Sequence, residues 1–126
     1  MKDILSNLAL ATLLVFLPIK ATLTVVMVLV LVDLVTGILA ARKRGEKITS
    51  SGLKRTVIKL LVYESVVMLG FLTEQYLTGD IVPVVKILGG LVGLTELKSV
   101  LENAEELTGI PLIQVIIDKL SQQEKQ

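Results

Sequence analysis

Three residue types are missing from this 126-residue chain: histidine, cysteine and tryptophan. Without histidine, the chain lacks both the commonest general base and the commonest metal ligand. Without cysteine, it has no disulfide and no thiolate. Two Tyr and two Phe are the only aromatic residues, too few for a surface that stacks nucleic-acid bases. We therefore expect no enzyme activity, no cofactor, no metal site and no nucleic-acid partner.

Charged residues are also scarce over long stretches of the chain. Between positions 4 and 41 the only charged side chains are Lys20 and Asp33. The segment from Val25 to Val32 offers no polar face, which a helix at the surface of a soluble bundle requires. The separation of apolar blocks from charged blocks is typical of an integral membrane protein.

The apolar blocks predict three to four transmembrane helices, because a helix needs roughly 20 apolar residues to cross the hydrocarbon core. Residues 4–41 hold the first two helices. The first block, 4–17, is short for a span, and Pro18 ends or kinks it, so whether it crosses the membrane is left open. Helix 3 is predicted over 57–77 and helix 4 over 81–97.

The loop between the second and third blocks is basic. The positive-inside rule places this loop, residues 42–56, in the cytoplasm. Ser50 or Ser51 is the expected N-cap of the helix that follows. The basic side chains are candidates for setting the topology or contacting lipid headgroups: Arg42, Lys43, Arg44, Lys47, Lys54 and Arg55.

The C-terminal region changes character. Residues 98–120 alternate charged and apolar positions at helical spacing, which predicts short amphipathic helices on the cytoplasmic side. Gly109 is expected to end one of them and Pro111 to start the next. Together these features predict one all-α domain over residues 1–126, an integral membrane helical bundle whose C-terminal region is a candidate for a cytoplasmic collar.

Several polar or small residues interrupt the apolar blocks. Asp33 is expected either to form a helix contact or pore-lining patch with its neighbours, or to pair near the cytoplasmic interface with a basic residue such as Lys59. Glu64 is expected either in a buried polar contact or on a face turned to water. The full set of candidates for helix packing or pore lining is Asp33, Thr36, Gly37, Lys59, Glu64, Glu74, Gly89 and Gly93.

Two segments resemble a family of phage holins, which includes holin-like proteins that export toxins. Asp33-Leu-Val-Thr-Gly37, followed by Ser50-Ser-Gly52, is similar to the first motif of that family. The second motif is represented by Glu96, Ser99, Glu102, Asn103, Gly109 and Pro111.

The resemblance implies a protein that oligomerises in the bacterial inner membrane, permeabilises it and so allows host cell lysis. Its partners would be copies of itself and the lipid bilayer, and a released endolysin or toxin would need no direct contact with it. Two other functions stay open: a small ion channel or transporter subunit, and a membrane scaffold that does not permeabilise. Expression toxicity distinguishes the scaffold from the holin.

Overall fold

The protein is a chain of helices with short connections. The computed structural model describes residues 1–124, apart from the side chain of Asp80. Within these residues the α-helices are α1 Lys2–Val15, α2 Lys20–Lys43, α3 Ser50–Thr73, α4 Val84–Thr108 and α5 Leu112–Gln123. A 3₁₀ turn at Leu17–Ile19 contains Pro18 and separates α1 from α2. The all-α class that the sequence predicts is therefore confirmed for the described residues.

Helix α3 begins earlier than predicted, at Ser50 rather than at position 57. Its N-cap is Thr49, not Ser50 or Ser51, and the Thr49 side chain accepts a hydrogen bond from the backbone N–H of Gly52. The cap satisfies a donor that the first helical turn leaves unpaired. The basic residues Lys54 and Arg55 therefore lie on the first turns of a helix rather than in a loop.

Helix α4 also differs from the prediction, which ended it at position 97. The helix continues without a break through the predicted amphipathic segment to Thr108, and it starts at Val84 because Pro83 precedes it as N-cap. No glycine or proline lies between positions 94 and 108, so nothing in this segment ends a helix. Gly109, in the left-handed conformation at φ 73°, ends α4 as predicted.

The core of the protein is formed by α2, α3 and α4, and α2 packs most extensively along α4. Ile19 and Val26 meet Val67, Phe71 and Val85 in the buried cluster. Gly89 and Gly93 of α4 face α2, since a Cβ added to Gly89 would lie 2.9 Å from Thr22 Cγ2, and one added to Gly93 would lie 3.7 Å from Leu29 Cδ1. Small residues let the two backbones approach closely.

Helix α1 takes no part in this core. None of its residues is buried, and its most extensive contact in the described chain is with the turn that follows it. Its leucines are exposed on several sides, for example Leu5 and Leu13. The three-helix core of α2, α3 and α4 is thus complete without α1.

Two helical segments of the described chain are long and apolar enough to cross a membrane, Leu17–Lys43 and Ser50–Thr78. Most residues of these segments face outward, since at most 17% of the most apolar stretch of either segment is buried. Outward-facing apolar residues are what a lipid environment requires. These two segments correspond to the second and third predicted blocks.

Candidate functional site

An ion-pair network lies between α2, α3 and α4. Lys59 Nζ of α3 is 2.8 Å from Asp33 Oδ2 of α2 and 2.7 Å from Glu96 Oε2 of α4. The Glu96 side chain is almost wholly buried, with 2% of its surface exposed, while Asp33 and Lys59 are partly buried. One cation therefore links all three helices of the core.

A second set of hydrogen bonds extends this network along the α2–α4 contact. Asn103 Nδ2 of α4 donates to Asp33 Oδ1 at 3.2 Å and to Thr36 Oγ1 at 3.1 Å. Both Asp33 carboxylate oxygens are thus satisfied by side chains of other helices. Gly37 leaves room for this contact, since a Cβ there would lie 3.6 Å from the Asn103 amide nitrogen.

The helical spacing of the sequence explains why these groups meet. On α2 the positions Val26, Val30, Asp33, Gly37 and Ala40 follow the four-then-three spacing of one helix face, and Val26, Val30 and Ala40 are buried. Asp33 is part of that face, so its side chain points at the neighbouring helices and not at the exterior of the bundle.

The same spacing recurs on α4, where Gly89, Gly93, Glu96 and Asn103 share one face. This spacing was the signal that could have identified Glu96 and Asn103 as members of the network. In the sequence alone, Glu96 and Asn103 stand out through the family resemblance, which does not pair them with Lys59 or Asp33.

A cavity of about 330 Å³ opens beside the network, toward the end of the bundle that carries the basic residues. Its wall contains side chains or backbone from both segments that resemble the holin motifs, including Gly37, Gly52 and Ser99. The polar groups that line it are Asp33, Lys47, Thr49, Thr56, Ser99 and Asn103. The remaining wall is apolar, with Leu34, Ile38 and Leu53 among its residues, so the cavity brings polar and apolar groups together beside the network.

The charges of the network do not cancel. Asp33 and Glu96 carry two negative charges when ionised, against one positive charge on Lys59. Charges within a membrane-spanning bundle are costly unless they pair with one another or face water. Lys59 therefore stabilises both carboxylates at once, and the adjoining polar cavity lies where water can solvate the remaining charge.

A second ionic contact ties the ends of α2 and α4 together. Arg44 Nη1 is 2.6 Å from Glu106 Oε2, and Arg44 Nε is 2.7 Å from Glu46 Oε1. Lys43 Nζ donates to the backbone carbonyls of Glu106 and Leu107 in the last turn of α4. The hydrogen bonds that Arg44 donates to Glu46 and Glu106 raise the pKa of Arg44, and the hydrogen bonds that Glu46 accepts from Arg44 lower the pKa of Glu46.

The two glutamates of the third predicted block, Glu64 and Glu74, occupy different surroundings. Glu74 Oε2 accepts a hydrogen bond from the backbone N–H of Val85 at 2.8 Å and so caps the start of α4. Glu64 is partly buried on α3, and no hydrogen bond or ion pair joins it to another described residue. Of the two, Glu64 is the one whose carboxylate is left for water or for another molecule.

The remaining candidates lie at the surface. Among the described side chains, Arg42, Lys47, Lys54 and Arg55 are exposed and form no ion pair. Glu102 is exposed and pairs with Lys98 on the same helix. Within the described residues no group of three or more acidic side chains is arranged to hold a metal ion.

Comparison with known proteins decides the family. The model described as "Bacteriophage holin family" matches residues 11–125. The chain belongs to the bacteriophage holin family. The predicted resemblance is thereby confirmed, and family membership with two apolar helices indicates a holin-type protein of the inner membrane. No curated protein and no solved structure matches the chain significantly.

For this holin, the two resembling segments are not separate features. Asp33, Thr36 and Gly37 of the first segment contact Asn103 of the second, and Lys59 joins Asp33 to Glu96. The polar network between α2, α3 and α4 is therefore our candidate functional site.

Proposed function

We propose that this holin assembles into homo-oligomers in the bacterial inner membrane and permeabilises it, releasing an endolysin or a toxin. The observation that supports the proposal best is the charged network, with a cavity beside it, among helices whose outer surfaces are largely apolar. Each of the three helices contributes at least one charged side chain to this network, and water can solvate these groups once copies associate and the helices separate.

The proposed topology has three spans, α2, α3 and α4, with the basic segment 42–56 and the C-terminus in the cytoplasm. Helix α4 carries more charge than α2 and α3, but Glu96 pairs with Lys59, which it shares with Asp33, and the other acidic residues of α4 lie near the cytoplasmic end. The turn at Gly79–Ile81 would then lie on the side of the membrane opposite the cytoplasm. The positive-inside rule favours this placement, because neither Lys nor Arg lies between positions 60 and 85. A fourth span by α1 remains a prediction.

Assembly requires surfaces that prefer a neighbouring copy over lipid. Without interhelical hydrophobic driving force, helices in lipid associate through close packing and polar contacts. Glu64 supplies such a contact, because its carboxylate lies within the apolar part of α3 and has no partner among the described residues. We assign Glu64 to a face that meets water or a second copy in the assembled state.

Expression in bacteria tests this function against the two alternatives. A holin stops growth abruptly at a set time and releases a co-expressed endolysin, as judged by a fall in culture turbidity. A selective ion channel depolarises the cells but leaves the endolysin inside, and a scaffold does neither. Either of the last two results would contradict the proposal.

Glu64→Gln serves as the informative variant in this experiment, and Glu124→Gln is its matched control. Both substitutions remove one negative charge, but Glu124 is exposed, lies outside the proposed spans and belongs to neither motif segment. We expect Glu64→Gln to shift the time of lysis and Glu124→Gln to leave it unchanged. Identical timing for both variants and the parent protein would remove Glu64 from the account.

A further inference from the structure

Helix α5 presents an apolar face that the described chain covers only at the start of the helix. Ile113, Ile116, Ile117 and Leu120 follow the spacing of one helix face. Ile113 is partly buried next to α4, whereas Ile116, Ile117 and Leu120 are 43%, 52% and 59% exposed. The far side of the helix carries the polar residues Gln114 and Asp118 together with Val115.

The position of this helix is fixed close to the end of α4. Only Gly109, Ile110 and Pro111 separate the two helices, and Glu105 Oε1 of α4 accepts a hydrogen bond from the backbone N–H of Ile113 at 2.6 Å. The end of α4 is in turn held to the end of α2 by Lys43 and Arg44. Helix α5 therefore starts at the level of the basic residues.

From this placement we infer that α5 lies on the cytoplasmic surface of the bilayer, with its isoleucine face among the acyl chains of anionic phospholipids. The inference rests on the topology in the proposed function. An amphipathic helix binds an interface through its buried apolar area together with attraction to anionic lipids. Here α5 supplies the apolar area, and exposed basic residues at the same end of the bundle supply the charge: Arg42, Lys47, Lys54 and Arg55.

A second copy of the chain fits this face less well than a bilayer does. Helix α5 has 12 residues, so its apolar face is ~18 Å long and ~10 Å wide, on the order of 200 Å². A stable protein interface buries about 800 Å² on each partner. The face alone is too small to hold another copy, whereas a bilayer surface has no such minimum.

The absence of cysteine from the chain allows a direct test. Spin labels are attached to Ile116→Cys on the apolar face, to Asp118→Cys on the far side of the same helix, and to Leu31→Cys on α2, whose side chain is 46% exposed. Each full-length variant is reconstituted into vesicles of phosphatidylethanolamine and phosphatidylglycerol. The collision rates of each label with oxygen, which dissolves in lipid, and with a water-soluble nickel complex are then compared.

We expect the ratio of oxygen to nickel collisions to be several-fold higher for the label at 116 than for the label at 118, and highest at 31. Equal, water-like ratios at 116 and 118 would overturn the inference. A label at 116 that is shielded from both reagents and strongly coupled to the labels of other copies would overturn it in favour of a collar. A water-like ratio at 31 would contradict membrane insertion itself, and with it the proposed function.

Discussion

At the scale of single residues, Lys59 is the side chain on which the polar network depends. It is the cation that contacts both Asp33 and Glu96. Lys59→Met would leave two carboxylates facing each other inside the bundle without a counter-ion. Removing one partner of a buried ion pair costs about 3–5 kcal/mol, and we expect a loss near the lower end because Lys59 is partly exposed. Thermal unfolding in detergent micelles, followed by circular dichroism, measures this loss.

Two control variants make that experiment specific. Lys59→Arg keeps the charge, so it should retain most of the stability. A triple variant that adds Asp33→Asn and Glu96→Gln to Lys59→Met removes the charges together, and such replacements are often close to neutral. If the single variant were as stable as the parent protein, the network would not hold the three helices together.

The contact between Glu46 and Arg44 can be tested by its pH dependence. Unlike the Lys59 network, this contact lies at the surface of the protein. The hydrogen bond from Arg44 lowers the pKa of Glu46 in the folded protein. A lowered pKa means that the contact contributes above the ordinary pKa of glutamate and is lost as the pH falls through the folded value. Titration of Glu46 followed by NMR should show a pKa below its ordinary value, moving back toward it in Arg44→Gln but not in Lys54→Gln. An unchanged pKa in Arg44→Gln would contradict the contact.

At the scale of helices, the contact between α2 and α4 is tested by two adjacent glycines. A Cβ at Gly89 would lie 2.9 Å from Thr22 Cγ2, whereas a Cβ at Gly90 would have no atom within 4 Å. Gly89→Ala should therefore destabilise the bundle by about 1–3 kcal/mol through overpacking. Gly90→Ala should be neutral or stabilising by up to about 1 kcal/mol, because alanine favours the helix. Equal effects in thermal unfolding would show that α2 and α4 do not pack closely at Gly89.

The helix bounds also show what could be predicted from the sequence. Gly109 and Pro111 ended and restarted helices as expected, because each acts through its own backbone. The end predicted for helix 4 at position 97 was wrong. It rested on a change from apolar to charged residues, which alters the surroundings of a helix but does not break it.

The candidate site was predictable only in part, for a related reason. Asp33 and Lys59 stood out as charges within apolar blocks, and the structure pairs them, which was one of the two alternatives. Glu96 was harder to assign because it lies where the apolar block gives way to charged residues. Which helices it contacts depends on how α3 and α4 pack, and this is a tertiary property that local patterns do not contain.

At the scale of the whole molecule, the described chain has a small core and a large apolar exterior. Few side chains are fully buried, whereas long apolar residues are exposed along α1, α2 and α3. In water such a surface would aggregate, but in a bilayer it is the expected exterior. Helix α1 adds a further apolar surface outside the bundle. Each copy therefore has apolar surface that its own core does not bury.

The most direct test of the proposed permeabilisation is leakage from liposomes that contain the purified protein. The liposomes are loaded with markers that range from ions to folded proteins. The fluorescence of any marker that reaches the medium is followed as the protein density in the membrane is raised. We predict that protein-sized markers escape above a threshold density, because the lesion forms by assembly of many copies. Release of ions alone would contradict a lesion large enough for an endolysin and favour a narrow channel. Retention of every marker at high density would contradict permeabilisation altogether.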